Sequence, residues 1–515
     1  MTEDLRALAL AAVGASRAVE DPDYPRYHVA PPVGRLNDPN GLLMDAGTYH
    51  AFYQFSPFHP HRKLVYWGHA TSTDLVTWRN HAPAIVPDSP YDRSGSYSGN
   101  ALVLEDAEAA MAPAGAPYQL FFTGNLKDPV TDERSSSQCL ATSTDLVDFA
   151  KWPGNPLLPA QPAGYTAHFR DPQVWRDPED PGSFRMIIGV QRADLTGAAL
   201  LYRSRDLLTW TAEGELTFPD ADGAFDSFGY MWECPGLVRL TDELTGQERD
   251  VLIWCPQGIT PDAEGFENIY PVTYTVGRLV GTELRECDGS FAEVDRGFEY
   301  YAPQAFARRP GEPGPVLLAG WAGNTEQDEH PSMDSWGWVH ALTVPRELSL
   351  RAGRLIQRPA LRVEPGAGLS VGERGLDAHD GLVDLAELDG HRSWHLVLDV
   401  EHAAGRWGLV IGDERSSVTV SLSPAGQDGG APPVLEVDRS RSRYTRHGTH
   451  RRVTLPPGTD RRLEVLHDRS VTELVVGDGD TLFTFRSYVS PTATGAALFT
   501  DGSLRLAGAR AVLHD

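Results

Sequence analysis

The chain has 515 residues, 41% of them hydrophobic and 23% charged, with a formal net charge of −26. That length exceeds one ordinary domain and predicts two, each with its own core. The acidic residues are spread along the chain as a solvated surface, which argues against nucleic acid or an anionic membrane as partner. No apolar run reaches the roughly 18 residues of a membrane span.

The N-terminus reads Met1-Thr2-Glu3-Asp4-Leu5-Arg6, acidic where a secretory signal is basic, so a cytoplasmic location is expected. Ala7 to Ala15 reads as a short surface helix, and residues 1–27 as a helical and extended segment. Strand signals then fill residues 28–355: YHAFYQF (49–55), YQLFFTG (118–124), FRMIIGV (184–190), DVLIWCP (250–256) and PVLLAGW (315–321). An internal repeat runs through this region: WGHATSTDLVTW (67–78), QCLATSTDLVDF (138–149) and LLYRSRDLLTW (200–210). Its Asp74, Asp145 and Asp206 recur at a spacing that fits one four-stranded blade plus a functional loop. The Asp-Leu-x-x-Trp element reads as a blade turn with a packing aromatic, and the region holds about five such units.

A boundary is expected near 350–365. Beyond it come short alternating strands, WHLVLDV (394–400), SVTVSLS (417–423), RLEVLHD (462–468), VTELVVG (471–477) and TLFTFRS (481–487), which predict a β-sandwich over 365–515. Pro424–Pro433 reads as a long polar loop. The expected fold class is all-β, a five-bladed β-propeller followed by a C-terminal β-sandwich. Cys139, Cys234, Cys255 and Cys287 show neither metal-ligand spacing nor a disulfide pattern, and no metal or cofactor is expected. Oligomeric state leaves no mark on the sequence.

Three carboxylates stand in turn-rich motifs: Asp38 in Arg35-Leu36-Asn37-Asp38-Pro39-Asn40-Gly41, Asp171 in His168-Phe169-Arg170-Asp171-Pro172, and Glu233 in Met231-Trp232-Glu233-Cys234-Pro235. Blade loops converge at one end of a propeller, so residues this far apart in sequence can meet there. Glycoside hydrolysis commonly uses two carboxyl groups about the scissile bond. Asp38, among amides and turn N–H groups, should stay ionised and suits a nucleophile. Glu233, between Trp232 and Cys234, should face an apolar wall and suits a general acid. Asp171 should be kept ionised by Arg170 beside it.

These motifs resemble the Asn-Asp-Pro-Asn-Gly, Arg-Asp-Pro and Glu-Cys motifs of glycoside hydrolase family 32, the β-fructofuranosidases or invertases. The similarity extends through YHAFYQFSP (49–57), WGH (67–69), SYSGNAL (96–102), FTGN (122–125), HFRDPQVW (168–175), MWECPGL (231–237), YYAPQAF (300–306), PRELSL (345–350) and HDRSVTELVVGDGDTLFTFRSY (467–488). The resemblance implies a five-bladed propeller plus sandwich and retaining cleavage of a terminal β-fructofuranoside from sucrose or a short fructo-oligosaccharide. It implies Asp38 as nucleophile, Glu233 as acid/base and Asp171 as transition-state stabiliser. Asn37, Gln54, Trp67, Ser98 and Arg170 would line the fructose pocket, with Tyr301 and Trp321 at its edge or on the leaving-group side. Cys234 would be either a small packing residue or a tuner of its neighbours.

The chain also departs from the family. Arg35 stands where a Trp is usual, Arg62 in His59-Pro60-His61-Arg62-Lys63 where many members carry an aromatic, and Glu299 where an Asp is usual. One reading of these cations is recognition of sucrose 6-phosphate; the other is a local ion pair at Arg35 and a solvated loop at His59–Lys63. Fructosyl transfer to a sugar acceptor would use the same carboxylates. A catalytically dead sugar-binding propeller predicts loss of a carboxylate, and none is lost. An inverting glycosidase predicts wider carboxylate spacing, and the Trp-Glu-Cys-Pro context argues against it.

Overall fold

The computed structural model describes residues 4–110, 112–259, 268, 270–326, 329–363, 369–370, 377–426 and 430–514. Part of the Pro424–Pro433 loop therefore lies outside the described residues. Five antiparallel sheets follow one another around a central channel. Blade 1 runs outward through Gly34–Asp45, Thr48–Ser56, Tyr66–Ser72 and Arg79–Asn80. Blade 2 has a broken inner strand, Ser96–Tyr97 and Ala101–Val103, followed by Tyr118–Lys127, Arg134–Ser143 and Ala150–Lys151. The inner strands of blades 3, 4 and 5 are Tyr165–Arg176, Met231–Thr241 and Tyr301–Ala305. Ala307–Arg308 and Trp338–Val339, from blade 5, pair in parallel with the inner strand of blade 1 and close the ring.

The repeat is a turn. In each copy a Ser hydroxyl contacts the Asp, and one Asp oxygen accepts two backbone N–H groups: Val76 and Thr77 on Asp74, Val147 and Asp148 on Asp145, Leu208 and Thr209 on Asp206. The following Leu75, Leu146 and Leu207 take φ of 62°, 59° and 63°. An Asp side chain can close such a turn through its own hydrogen bonds, which is why the sequence repeats it.

The inner strands share a defect that the function needs. Pairing slips between Leu36 and Pro39, Arg170 and Gln173, Glu233 and Gly236, and Tyr301 and Gln304. In blade 2 the strand breaks over Ser98–Asn100. A bulge inserts a residue, so two consecutive side chains can face the same way instead of alternating. At four of the five sites a proline follows: Pro39, Pro172, Pro235 and Pro303. Proline has no N–H for the ladder and belongs at such an interruption. An amide often comes next and bridges blades. Asn100 exchanges hydrogen bonds with both the N–H and the C=O of Val174, Gln173 accepts from Leu237 N, and Gln304 donates to Gly99 O.

Apolar side chains from facing sheets fill the gaps between blades; Phe52, Trp67, Leu120 and Phe122 do so between blades 1 and 2. Fully burying one such side chain contributes roughly 1.5–3 kcal/mol. The chain beyond the fifth blade builds the β-sandwich around a separate core that includes Trp394, Trp407, Leu474 and Phe485. One long strand, Ala496–Leu513, joins its layers by pairing with Trp407–Gly412 at one end and Ser393–Ala404 at the other.

Buried ions lock sandwich to propeller. Arg346 reaches Asp295 at 2.8 Å and Glu473 at 2.7 Å. Glu299 is fully buried here, where it accepts from Arg439 Nη1 and the Arg486 N–H at 2.8 Å each. The N-terminal helix, Leu5–Ala15, is capped by Asp4, and the chain after it runs into this interface. There the backbone N–H groups of Arg26, Tyr27 and His28 donate to the Asp468 carboxylate.

Candidate active site

The four bulges and the blade 2 break aim their paired side chains into one open cavity of about 440 Å³. Asn37, Asp38, Gln54, Ser98, Arg170, Asp171, Glu233, Tyr301 and Trp321 all line it. Trp67 does not. It is fully buried behind the cavity, donates its indole N–H to Tyr97 O at 3.0 Å, and packs against Gly41. Any side chain at Gly41 would strike it, since a Cβ there would lie 2.8 Å from the indole.

Asp38 Oδ2 accepts from Ser98 Oγ at 2.6 Å, and Asp38 Oδ1 from Asn37 Nδ2 at 3.0 Å. Asp171 has φ of 65°, which turns its carboxylate towards Asp38. Its Oδ2 accepts from the Cys234 N–H at 3.1 Å. The Cys234 thiol lies 3.8 Å from Asp38 Oδ2 and 3.7 Å from Asp171 Oδ2, so one sulfur bridges the two carboxylates. Burial and those carboxylates push this thiol well above its ordinary range, which keeps it an S–H.

Glu233 sits in a different setting from the apolar wall its sequence neighbours imply. Trp232 is on the opposite face of the strand, buried in the core between blades 3 and 4 with Trp254 and Leu252. Donors surround the Glu233 carboxylate. Arg170 Nη2 reaches Oε1 at 2.5 Å, while Gln257 Nε2 and Tyr301 OH reach Oε2 at 2.6 and 2.7 Å.

Burial also works against the ionised state expected at Asp171. Its carboxyl is pushed up to about 7, by desolvation first and also by Glu233 and Asp38, against the pull of Arg170 and the Cys234 N–H. Asp38 is raised as well, again by burial, against hydrogen bonds from Ser98 and Asn37. His168 is pulled down to about 4 by burial and by the charges of Arg170 and Arg134. As a neutral ring it accepts from Arg170 Nη1 at 2.7 Å, the structural role expected of it. Arg35 lies over the Trp321 ring at 5.1 Å and donates to Asn37 Oδ1 at 3.3 Å. From the His59–Lys63 loop, His61, Arg62 and Lys63 are exposed, and none of the five is among the residues that line the cavity.

Gln257, Tyr97 and Arg134 also line the cavity and were not singled out by the sequence. A signal existed for Gln257: like Gln54 and Trp321, it stands near the end of its blade's second strand, two residues beyond Cys255, the partner of Glu233.

The family model for the glycosyl hydrolases family 32 N-terminal domain matches residues 28–359, and that for the family 32 C-terminal domain matches 377–512. The chain belongs to glycoside hydrolase family 32. It is a glycosidase with a five-bladed propeller and a C-terminal β-sheet domain, as expected. A sucrose-6-phosphate hydrolase of Klebsiella pneumoniae is 35% identical over 95% of this chain and 93% of its own. A raffinose invertase of Escherichia coli is 33% identical over 93% and 94%. Among solved structures, a sucrose-6-phosphate hydrolase from Lactobacillus gasseri has a TM-score of 0.79 at 27% identity, covering 99% of this chain and 97% of that one. A family 32 β-fructofuranosidase of Bombyx mori has a TM-score of 0.77 at 27% identity, with the same coverage.

Proposed function

We propose that the protein hydrolyses terminal β-D-fructofuranosides, with sucrose or a short fructo-oligosaccharide as the minimal substrate class, and with retention of configuration. The observation that carries this reading is the approach of Asp38 and Asp171 to one thiol, with Glu233 as the preceding residue. Family relatives named for sucrose 6-phosphate, raffinose and β-fructofuranosides support it, since all three kinds of substrate present a terminal fructosyl unit.

Asp38 attacks the anomeric carbon of fructose as the glycosidic C–O bond breaks. Protonated Glu233 gives its proton to the leaving oxygen, and a covalent fructosyl ester forms on Asp38. Glu233 then takes a proton from water as that water displaces Asp38. Asp171 accepts fructose hydroxyls and stabilises positive charge on the ring in both transition states. Arg170, Gln257 and Tyr301 hold the Glu233 carboxylate at the leaving-group side, so its aim is set before substrate arrives.

Sucrose incubated with the enzyme should give glucose and fructose in equal amounts, with β-fructofuranose appearing first by NMR. Initial release of the α-anomer would sink the retaining assignment. New oligosaccharides at high sucrose would mark fructosyl transfer on the same carboxylates. Asp38→Asn should abolish turnover while the fold persists.

A further inference from the structure

One of the donors that hold Glu233 is itself held from outside the cavity. Gln257 Nε2 donates to Glu233 Oε2 at 2.6 Å, and the other end of that amide, Oε1, accepts from Tyr230 OH at 2.7 Å. Tyr230 has no role in the hydrolytic steps above. It immediately precedes the blade 4 inner strand Met231–Thr241. Two backbone contacts fix its place. Its N–H donates to Gln257 O at 2.8 Å, and its C=O accepts from Gln191 Nε2 of blade 3 at 2.8 Å. Gly258, with φ of 82°, leaves room for the ring, since a Cβ there would lie 2.4 Å from Tyr230 Cδ1.

The ring of Tyr230 is set the wrong way round for a surface tyrosine. Such a residue ordinarily buries its apolar body and leaves its polar tip in water. Tyr230 is 43% exposed, yet its hydroxyl is spent on Gln257, a buried residue that lines the catalytic cavity. The amide it meets has two unlike ends, a carbonyl that accepts and an NH2 that donates. Turned round, Gln257 would face Glu233 with its oxygen. That oxygen would repel the ionised carboxylate, and from the protonated acid it would accept the proton that has to reach the leaving oxygen. A hydroxyl donating to Oε1 favours the orientation in which the NH2 faces Glu233, and each bond of such a chain polarises the next.

We infer that Tyr230 is a positioning residue for the acid/base: its hydroxyl fixes the Gln257 amide, and through that amide the aim of Glu233 at the leaving oxygen. The inference rests on the fructoside-hydrolase reading above and deepens it. Tyr230 acts through Gln257 and takes no part in bond cleavage.

The test is kcat/KM for two fructosides that differ in their need for an acid: sucrose, and p-nitrophenyl β-D-fructofuranoside, whose leaving group departs without a proton. Tyr230→Phe keeps the exposed ring and removes only the hydroxyl. It should cut kcat/KM for sucrose about 3–10-fold, the weight of one hydrogen bond, mostly through kcat. The nitrophenyl fructoside should stay within about twofold of the wild type. In a Gln257→Met background the same change should cost sucrose hydrolysis nothing further, because the link it breaks is already gone. Equal losses on both substrates, an unchanged kcat/KM for sucrose, or losses that multiply in the double variant would overturn the positioning role while leaving the hydrolase reading intact. No fructose from either substrate with the wild type would overturn the hydrolase reading itself, and the positioning role with it.

Discussion

Arg170 gives its guanidinium to Glu233 rather than to Asp171, its neighbour in the chain. Nη2 lies 2.5 Å from Glu233 Oε1, whereas Nε is 3.8 Å from Asp171 Oδ2. The blade 3 bulge turns both residues into the cavity, but Asp171 continues towards Cys234 and Asp38, and the long arginine side chain spans to blade 4. The Arg170 guanidinium thus goes to the residue assigned as acid.

Replacing that cation with a smaller one should therefore be far from conservative. A lysine ammonium cannot place two N–H groups on Glu233 Oε1 while also donating to His168. Arg170→Lys is expected to lower kcat on sucrose by about 10²-fold with the circular dichroism spectrum unchanged. A variant within twofold of the wild type would mean that the fork does not position Glu233.

Asp171→Asn should raise stability and remove activity together. The folded pKa of Asp171, about 7, lies above its unfolded value, so between roughly pH 4 and 7 the folded state binds a proton the unfolded state has lost. Stability falls as pH rises through that window, and above it a buried charge is carried near Glu233 and Asp38. Asparagine removes the charge and tolerates the φ of 65°. At pH 8 the variant should gain on the order of 1–3 kcal/mol, read as a higher Tm, and the gain should vanish near pH 4. A Tm difference that ignores pH would contradict this.

The same two carboxylates shape the pH–rate profile. Asp38 and Asp171 act as anions, and burial raises both. kcat/KM, which reports the free enzyme, should fall as pH drops from about 7 to about 5. A profile flat across roughly pH 4 to 8 would count against the assigned roles.

Much of this was legible in the sequence, and the misses have identifiable physical causes. The Ser-x-Asp-Leu turns are local, each closed by its own side chain within a few residues, so the sequence specifies them directly. The motif carboxylates could be read because each sits one or two residues before a proline that interrupts an inner strand. Glu233's surroundings were misjudged from Trp232, although adjacent strand residues face opposite sides. The bulge lies on the other side of Glu233 and brings in Cys234 instead. Arg170's partner lies 63 residues away on the next blade, and no local pattern encodes that reach. Trp67 belongs to a motif shared with the site, yet it supports the cavity from behind.

The interface between the domains carries its own pH signature. His28 is fully buried between two carboxylates, with Nδ1 2.9 Å from Asp468 Oδ2 and Nε2 3.0 Å from Glu473 Oε1. Burial alone would lower its pKa, but the two hydrogen bonds outweigh that and push it up to about 9. Asp468 is held down to about 2: burial raises it, and the bonds from His28 and the backbone N–H groups more than reverse the shift. For His28, raised above its unfolded value, the stabilisation is complete below about pH 6.5 and is lost as pH rises through 9. For Asp468, depressed, it is complete above about pH 4 and is lost as pH falls through 2. The triad is therefore fully effective between about pH 4 and 6.5. His28→Gln leaves two buried carboxylates without their shared cation, at a cost of roughly 3–5 kcal/mol. The Tm gap between wild type and variant should be widest near pH 6 and should shrink towards pH 9; a gap constant across that range would show that His28 is held there as a neutral ring.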